Sequence, residues 1–199
     1  MIPKNAVAVL LAVLLVLFGG SVSARAQEGQ SQEARGAESY FTNVELVNQH
    51  GEPMRLYRDL LQGKVVVIDT LFTECTGICP VMGKTLQRIQ EHVGDRLGED
   101  VHLISISVDP ENDTPEKLEA YAEKFEARPG WYFLTGAKEN VDFALKKLGG
   151  YVEDREAHNA IFIIGNEPTG LWKKAMGLAP AKDVLPIVDS VLQDSGTTP

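Results

Sequence analysis

Cys75 and Cys79 are the only two cysteines among 199 residues, and Thr76, Gly77 and Ile78 separate them. A four-residue step brings two side chains to one side of a helical turn, so both sulfurs can meet each other or one ion. Three chemistries fit such a pair. A structural disulfide would close a ring of five residues and contribute only about 2 kcal/mol by chain entropy. A chain of this length buries a core without such a staple. A redox dithiol would cycle between thiol and disulfide. A metal site would use the two thiolates as soft ligands.

The elements that must position the pair are legible on either side. Residues 64–71, KVVVIDTL, form a short apolar, β-branched run that reads as a buried strand. Beyond the cysteines, Met82, Leu86, Ile89 and Val93 recur at three- and four-residue steps, the face of a helix. Pro80 suits a first turn, where its missing N–H costs no bond. The cysteines therefore fall on the turn from strand into helix, with Cys79 at or beside the N-cap. Free N–H groups and the positive helix end favour thiolates there, so these thiols are expected to titrate below a free cysteine.

The rest of the chain reads as a fold around that turn. Residues 41–46 and 53–56 make two short strands about the turn Asn48-Gln49-His50-Gly51, and 58–61 a short turn closed by Gly63. Residues 101–108, VHLISISV, alternate apolar and polar as a strand should. Thr114 is a natural N-cap with Pro115 and Glu116 behind it, opening a helix that buries Leu118, Tyr121, Ala122 and Phe125. A strand at 131–134, a helix at 138–148 ended by Gly149-Gly150, a hairpin of 160–164 with 170–175, and a helix at 181–192 broken or kinked at Pro186 complete the order. Strands alternating with helices predict an α/β fold with a mostly parallel sheet and helices on both faces.

Composition bounds the function. With 44 % hydrophobic and 24 % charged residues this is an ordinary globular chain. Residues 1–26 read as a signal peptide or membrane anchor: a lysine, an uninterrupted apolar run from Ala6 to Phe18, and the small-x-small site Ala24-Arg25-Ala26. No cysteine follows that site, so no lipoprotein anchor is expected. Residues 27–40 are a polar tether, and 41–195 the folded domain. The formal charge of −9 becomes −11 without Lys4 and Arg25. That acidity argues against nucleic acid and anionic lipid as partners. An exported chain, placed in the periplasm or on the outer face of the inner membrane, needs something to keep two such cysteines reduced or metallated.

Taken together, LFTECTGICP, SISVDPENDTPEKLEAYAEKF, WYFLTG and AHNAIFIIG resemble the Sco/SenC family in order and spacing, over residues from about 41 to 193. The resemblance implies a thioredoxin-like fold with an N-terminal β-hairpin extension. It implies a copper chaperone serving the binuclear copper centre of cytochrome c oxidase, with some members acting as thiol–disulfide reductants. It places Cys75, Cys79 and His158 on the metal ligands and Asp109 on an acidic position near them. The chain departs from the commoner pattern at Thr76, where many relatives have proline, and at Asn159, where a hydroxyl residue is common.

The residues support the same set. His158 stands just before the strand at 160–164, expected to lie centrally in the sheet. Two thiolates and an imidazole suit Cu(I), and Cu(II) could take the same groups with a further donor. A structural zinc site wants four protein ligands, and no further Cys–His cluster supplies them. His50, His92 and His102 are expected to face solvent, Met82 to be core, and Asp109 to serve its turn and to partner His158 or Cys79. One copper per chain would pass to a cuproprotein acceptor such as cytochrome oxidase subunit II, with a second copper chaperone or a thiol reductant as further partners. The alternative is a thiol–disulfide oxidoreductase with Cys75 attacking and Cys79 resolving. His158 stands about where thioredoxin-like enzymes carry a proline, so an ordinary enzyme is not expected. A peroxidase motif would need threonine where Phe72 stands.

Overall fold

The computed structural model describes residues 36–154 and 160–196. The seven strands of the described residues lie in the compact unit Tyr40–Pro199. They are β1 (Glu45–Asn48), β2 (Pro53–Arg55), β3 (Val65–Leu71), β4 (Val101–Ser107), β5 (Trp131–Thr135), β6 (Ile161–Asn166) and β7 (Leu171–Met176). Besides the helical residues 36–41, the described residues form the helices α1 (Ile78–Val93), α2 (Pro115–Glu123), α3 (Lys138–Leu148) and α4 (Ala181–Leu192), with one π-helical turn at Leu56–Leu61 and a 3-10 turn at Gly94–Arg96.

The sheet runs β2-β1-β5-β4-β3-β6-β7. It is the thioredoxin-like α/β arrangement, but mixed rather than mostly parallel. Only the β3–β4 and β4–β5 pairings are parallel; β1–β2, β1–β5, β3–β6 and β6–β7 are antiparallel. Short turns at 49–52 and 167–170 fold each terminal hairpin back on itself, and such turns join only antiparallel neighbours. Strand β6 is interior, between β3 and β7, not central; β4 holds the centre.

Position in the sheet explains burial that periodicity does not. Every residue of β3 and of β4 is buried. On β3, Val65, Val67 and Leu71 face α1, α2 and α4 in the main core, joined by Leu103, Phe133 and Ile164 from neighbouring strands. Ile68 and Thr70 face the other way, against Leu145 and Leu148 of α3. Both faces of the central strands are thus covered, as in parallel sheets generally. His102 is consequently buried at 3 % exposure, contrary to the solvent-facing position expected for it. Its Nδ1 lies 3.0 Å from the Leu60 carbonyl, and burial pushes the imidazole below its ordinary range. His50 and His92 do reach solvent, though His92 lies 2.7 Å from Asp189 Oδ1 and ties α1 to α4.

Helix α1 buries the face its spacing predicts: Met82, Leu86, Ile89 and Val93. Burial of each such side chain is worth roughly 1.5–3 kcal/mol. Gly83 lies on that face because a Cβ there would stand 2.4 Å from Phe125 Cζ. Thr114 caps α2 by accepting the Lys117 N–H at 3.4 Å, with Pro115 in the first turn. Gly149, left-handed at φ 77°, ends α3. These local elements follow from the sequence alone.

Candidate metal centre

Strand β3 runs out at Leu71, residues 72–77 turn, and α1 starts at Ile78. Cys79 therefore sits in the first helical turn and Cys75 just before it. The two are not joined in a disulfide. Cys79 is buried at 2 % exposure, whereas Cys75 is partly exposed. The Cys75 N–H donates to the Phe72 carbonyl at 3.1 Å, which folds the turn, and the Cys79 N–H donates to Cys75 Sγ at 3.4 Å. One N–H at the positive end of the helix thus points at the outer sulfur.

The inner sulfur behaves otherwise than its helix position suggests. Burial, and then the hydrogen bond with Cys75, push the Cys79 thiol well above the ordinary cysteine range. The sequence places it at a dipole; the tertiary structure puts it under apolar cover, where desolvation of a thiolate outweighs the dipole. The expectation of a lowered value fails for Cys79. The arrangement is therefore a partly exposed sulfur over a buried, protonated one. A soft cation reaching both must displace the inner proton.

The turn is held by an acid that sequence reasoning passed over. Asp113, 1 % exposed, accepts from the Thr73 hydroxyl at 2.5 Å, from the Thr73 N–H at 3.2 Å and from the Ser107 hydroxyl at 2.5 Å. It clamps the chain entering the cysteine turn to the end of β4. Asp109, also buried, accepts from Asn112 Nδ2 at 2.9 Å, and its carbonyl accepts from the N–H groups of Asn112 and Asp113. This is the turn role expected of Asp109. The signal for Asp113 was present: the last acid before the Thr114 cap, within reach of two strand ends once β3 and β4 pair.

Two further polar groups lie beneath the pair. Asp69 on β3 is 4 % exposed with Oδ1 unpartnered, and burial raises its carboxyl to about 7 although Ser105 hydrogen-bonds it. The Tyr121 hydroxyl is likewise buried without a hydrogen-bond partner, and burial, then the nearby Cys79 and Asp69, push it upward. An acid inside an otherwise apolar strand run was the sequence signal for Asp69. Met82 is fully buried core, as its spacing predicts.

His158 lies outside the described residues. Ala160, two positions on and the first described residue after it, leads into β6, which pairs antiparallel with β3 through Ile163 opposite Ile68. The start of β6 is thus at the end of the sheet where β3 runs into the cysteine turn. Among the described residues no group of three His, Cys, Asp or Glu side chains is assembled to hold a metal.

Fold and site together define a thioredoxin-like α/β protein with a C-x-x-x-C pair in place at the head of α1. The SCO1/SenC family model matches residues 32–172, and the chain belongs to that family. It is 33 % identical over 154 residues to the SCO1 protein homolog of Bacillus subtilis, covering 72 % of this chain and 78 % of that one. It superposes on the crystal structure of a SCO1/SenC family lipoprotein from Bacillus anthracis with a TM-score of 0.64 at 30 % identity, covering 75 % of this chain and 92 % of the other. BsSco, described as carrying a disulfide switch and as a member of the Sco family of cytochrome c oxidase assembly proteins, matches at 31 % identity and a TM-score of 0.61, covering 74 % and 90 %. Yeast Sco1 with copper bound matches at 26 % identity and a TM-score of 0.60, covering 76 % and 91 %.

Proposed function

We propose that this chain is an exported metallochaperone which holds one copper ion on Cys75, Cys79 and His158 and delivers it to the binuclear copper site of cytochrome c oxidase or a related cuproenzyme. The observation that carries the reading is the unjoined cysteine pair at the start of α1, Cys75 partly exposed just before the helix and Cys79 buried in its first turn. Two soft donors fixed where a strand turns into a helix suit a soft cation. The copper bound to yeast Sco1 and the assembly role given to BsSco support the cargo and the partner class. Copper would enter at Cys75, displace the proton from Cys79, and leave by stepwise exchange with an acceptor's own ligands, so that free metal is not released. Asp109 would partner His158 or Cys79 at the closed site. Residues 1–26 would carry the chain out of the cytoplasm, cleaved or retained as an anchor, with 27–40 as the tether.

Thiol–disulfide chemistry is the second reading, favoured by the disulfide switch of BsSco and by the Cys79 N–H already directed at the Cys75 sulfur. The same two sulfurs would serve both, since only the dithiol binds metal. Copper titration of the reduced chain tests the choice, alongside Cys75→Ala, Cys79→Ala and His158→Ala. The expected result is one copper per chain, lost with either cysteine and weakened without the histidine. If His158→Ala leaves affinity and spectra intact while disulfide reduction is rapid, the chain is a reductant instead.

A further inference from the structure

Five large apolar side chains stay exposed among the described residues, and three of them belong to the end of the sheet that carries the cysteines: Val81 (50 % exposed), Met176 (68 %) and Leu178 (54 %). Val81 lies in the first turn of α1, two residues beyond Cys79. Met176 ends β7 opposite Ile161, at the edge where β3 gives way to the cysteine turn. The chain after it stays close to α1. Gly177 donates its N–H to the Ala160 carbonyl at 2.7 Å, and a Cβ on Gly177 would stand 2.8 Å from Met82 Sδ. Ala181 then shares a shallow groove with Pro80 and Val81. Residues 176–181 therefore cross over the first turns of α1, and the side chains of Met176 and Leu178 face water at that end of the sheet.

The groove itself carries charge opposite to that of the chain, while the exposed acids Glu74, beside Cys75, and Asp183, beside Lys182, lie outside its lining. The charged residues lining the groove are Lys84 and Arg88, and Lys182 follows Ala181 in α4. Arg88 is paired with Glu91 at 2.8 Å, but Lys84 donates to the neutral amide oxygen of Gln87 and keeps its charge. A cationic margin on a chain of net charge −9 selects an acidic partner.

We propose that Val81, Met176 and Leu178 are the apolar centre, and Lys84 and Lys182 the basic margin, of the surface on which the copper acceptor docks. The acceptor's matching face would be an apolar patch ringed by carboxylates. This rests on the copper-delivery reading and adds to it where the partner sits. An apolar contact at the end of the sheet that carries the cysteines would limit water where ligands exchange, while the charged rim sets the encounter rate. Exposed apolar side chains gathered at one functional end are otherwise a solubility cost.

The test uses the full chain loaded with copper and the soluble copper-binding domain of a cytochrome oxidase subunit II as acceptor. The double variant Val81→Ser with Leu178→Ser should bind copper as the wild type does, yet transfer it about tenfold more slowly at sub-saturating acceptor. Lys84→Glu should slow transfer several-fold at low ionic strength, and the difference should close at high salt. Phe143→Ser, an exposed apolar site on α3 across the sheet, should transfer at the wild-type rate. Wild-type rates in all variants would overturn the surface alone, as would variants that change only self-association in sedimentation. A wild-type chain that binds copper but passes none to the acceptor would overturn both readings together.

Discussion

The backbone N–H of Cys79 is directed at the sulfur of Cys75 across 3.4 Å, while the sulfur of Cys79 itself is buried at 2 % exposure. The two cysteines of one short motif are therefore chemically unequal. Cys75 is the sulfur open to solvent, and Cys79 the buried one, whose thiol burial holds above its ordinary range.

That inequality sets a pH dependence for copper loading. Burial holds the Cys79 thiol above its ordinary range, so near neutral pH it is protonated and metal binding must release that proton. Apparent copper affinity should rise with pH, by about tenfold per unit for one proton released. Titration calorimetry in two buffers of different ionisation enthalpy will give the proton count, and an affinity flat from pH 6 to 8 would contradict it.

Asp69 should make the fold itself pH-dependent. Its carboxyl stands at about 7 in the folded chain, against about 3.9 in a free chain. The folded state keeps a proton that the unfolded state gives up, so this group's contribution is fullest below about pH 4 and is lost as pH rises through 7. Three units correspond to about 4 kcal/mol at most. Asp69→Asn should raise the unfolding midpoint more at pH 8 than at pH 5, as read by denaturant melts. An equal effect at both values would show that the carboxyl titrates normally.

Asp113→Asn should loosen the cysteine turn. It removes the charge that takes the Thr73 and Ser107 hydrogen bonds, and buried charged networks of this kind cost about 3 kcal/mol to break. A drop in stability of that order should come with weaker copper binding, although Asp113 is no ligand. Unchanged hydrogen-exchange protection at residues 73–79 would refute the clamp.

Gly83→Ala should destabilise through overpacking, because the added carbon meets the ring of Phe125 at 2.4 Å. The expected cost is about 1–3 kcal/mol, since one neighbour can shift in part. Combining it with Phe125→Leu should recover part of the loss. A double variant no better than the sum of the two would place the strain elsewhere.

The sequence by itself determined the parts governed by near neighbours. The strand-to-helix turn that carries Cys75 and Cys79, the buried face of α1, the Thr114 cap and the α3 helix ended by Gly149 all depend on spacing and on residue types a few positions apart. Only the tertiary structure decided the rest. It chose Asp113 as the clamp because β3 and β4 pair in a register that brings Thr73 and Ser107 to one carboxylate. It buried His102 and both faces of β4 because α3 covers one side of the sheet and α1, α2 and α4 the other. It raised the Cys79 thiol because apolar cover from distant elements outweighs a local dipole. Periodicity reports which residues share a face of an element; it carries no record of what a distant segment lays against that face.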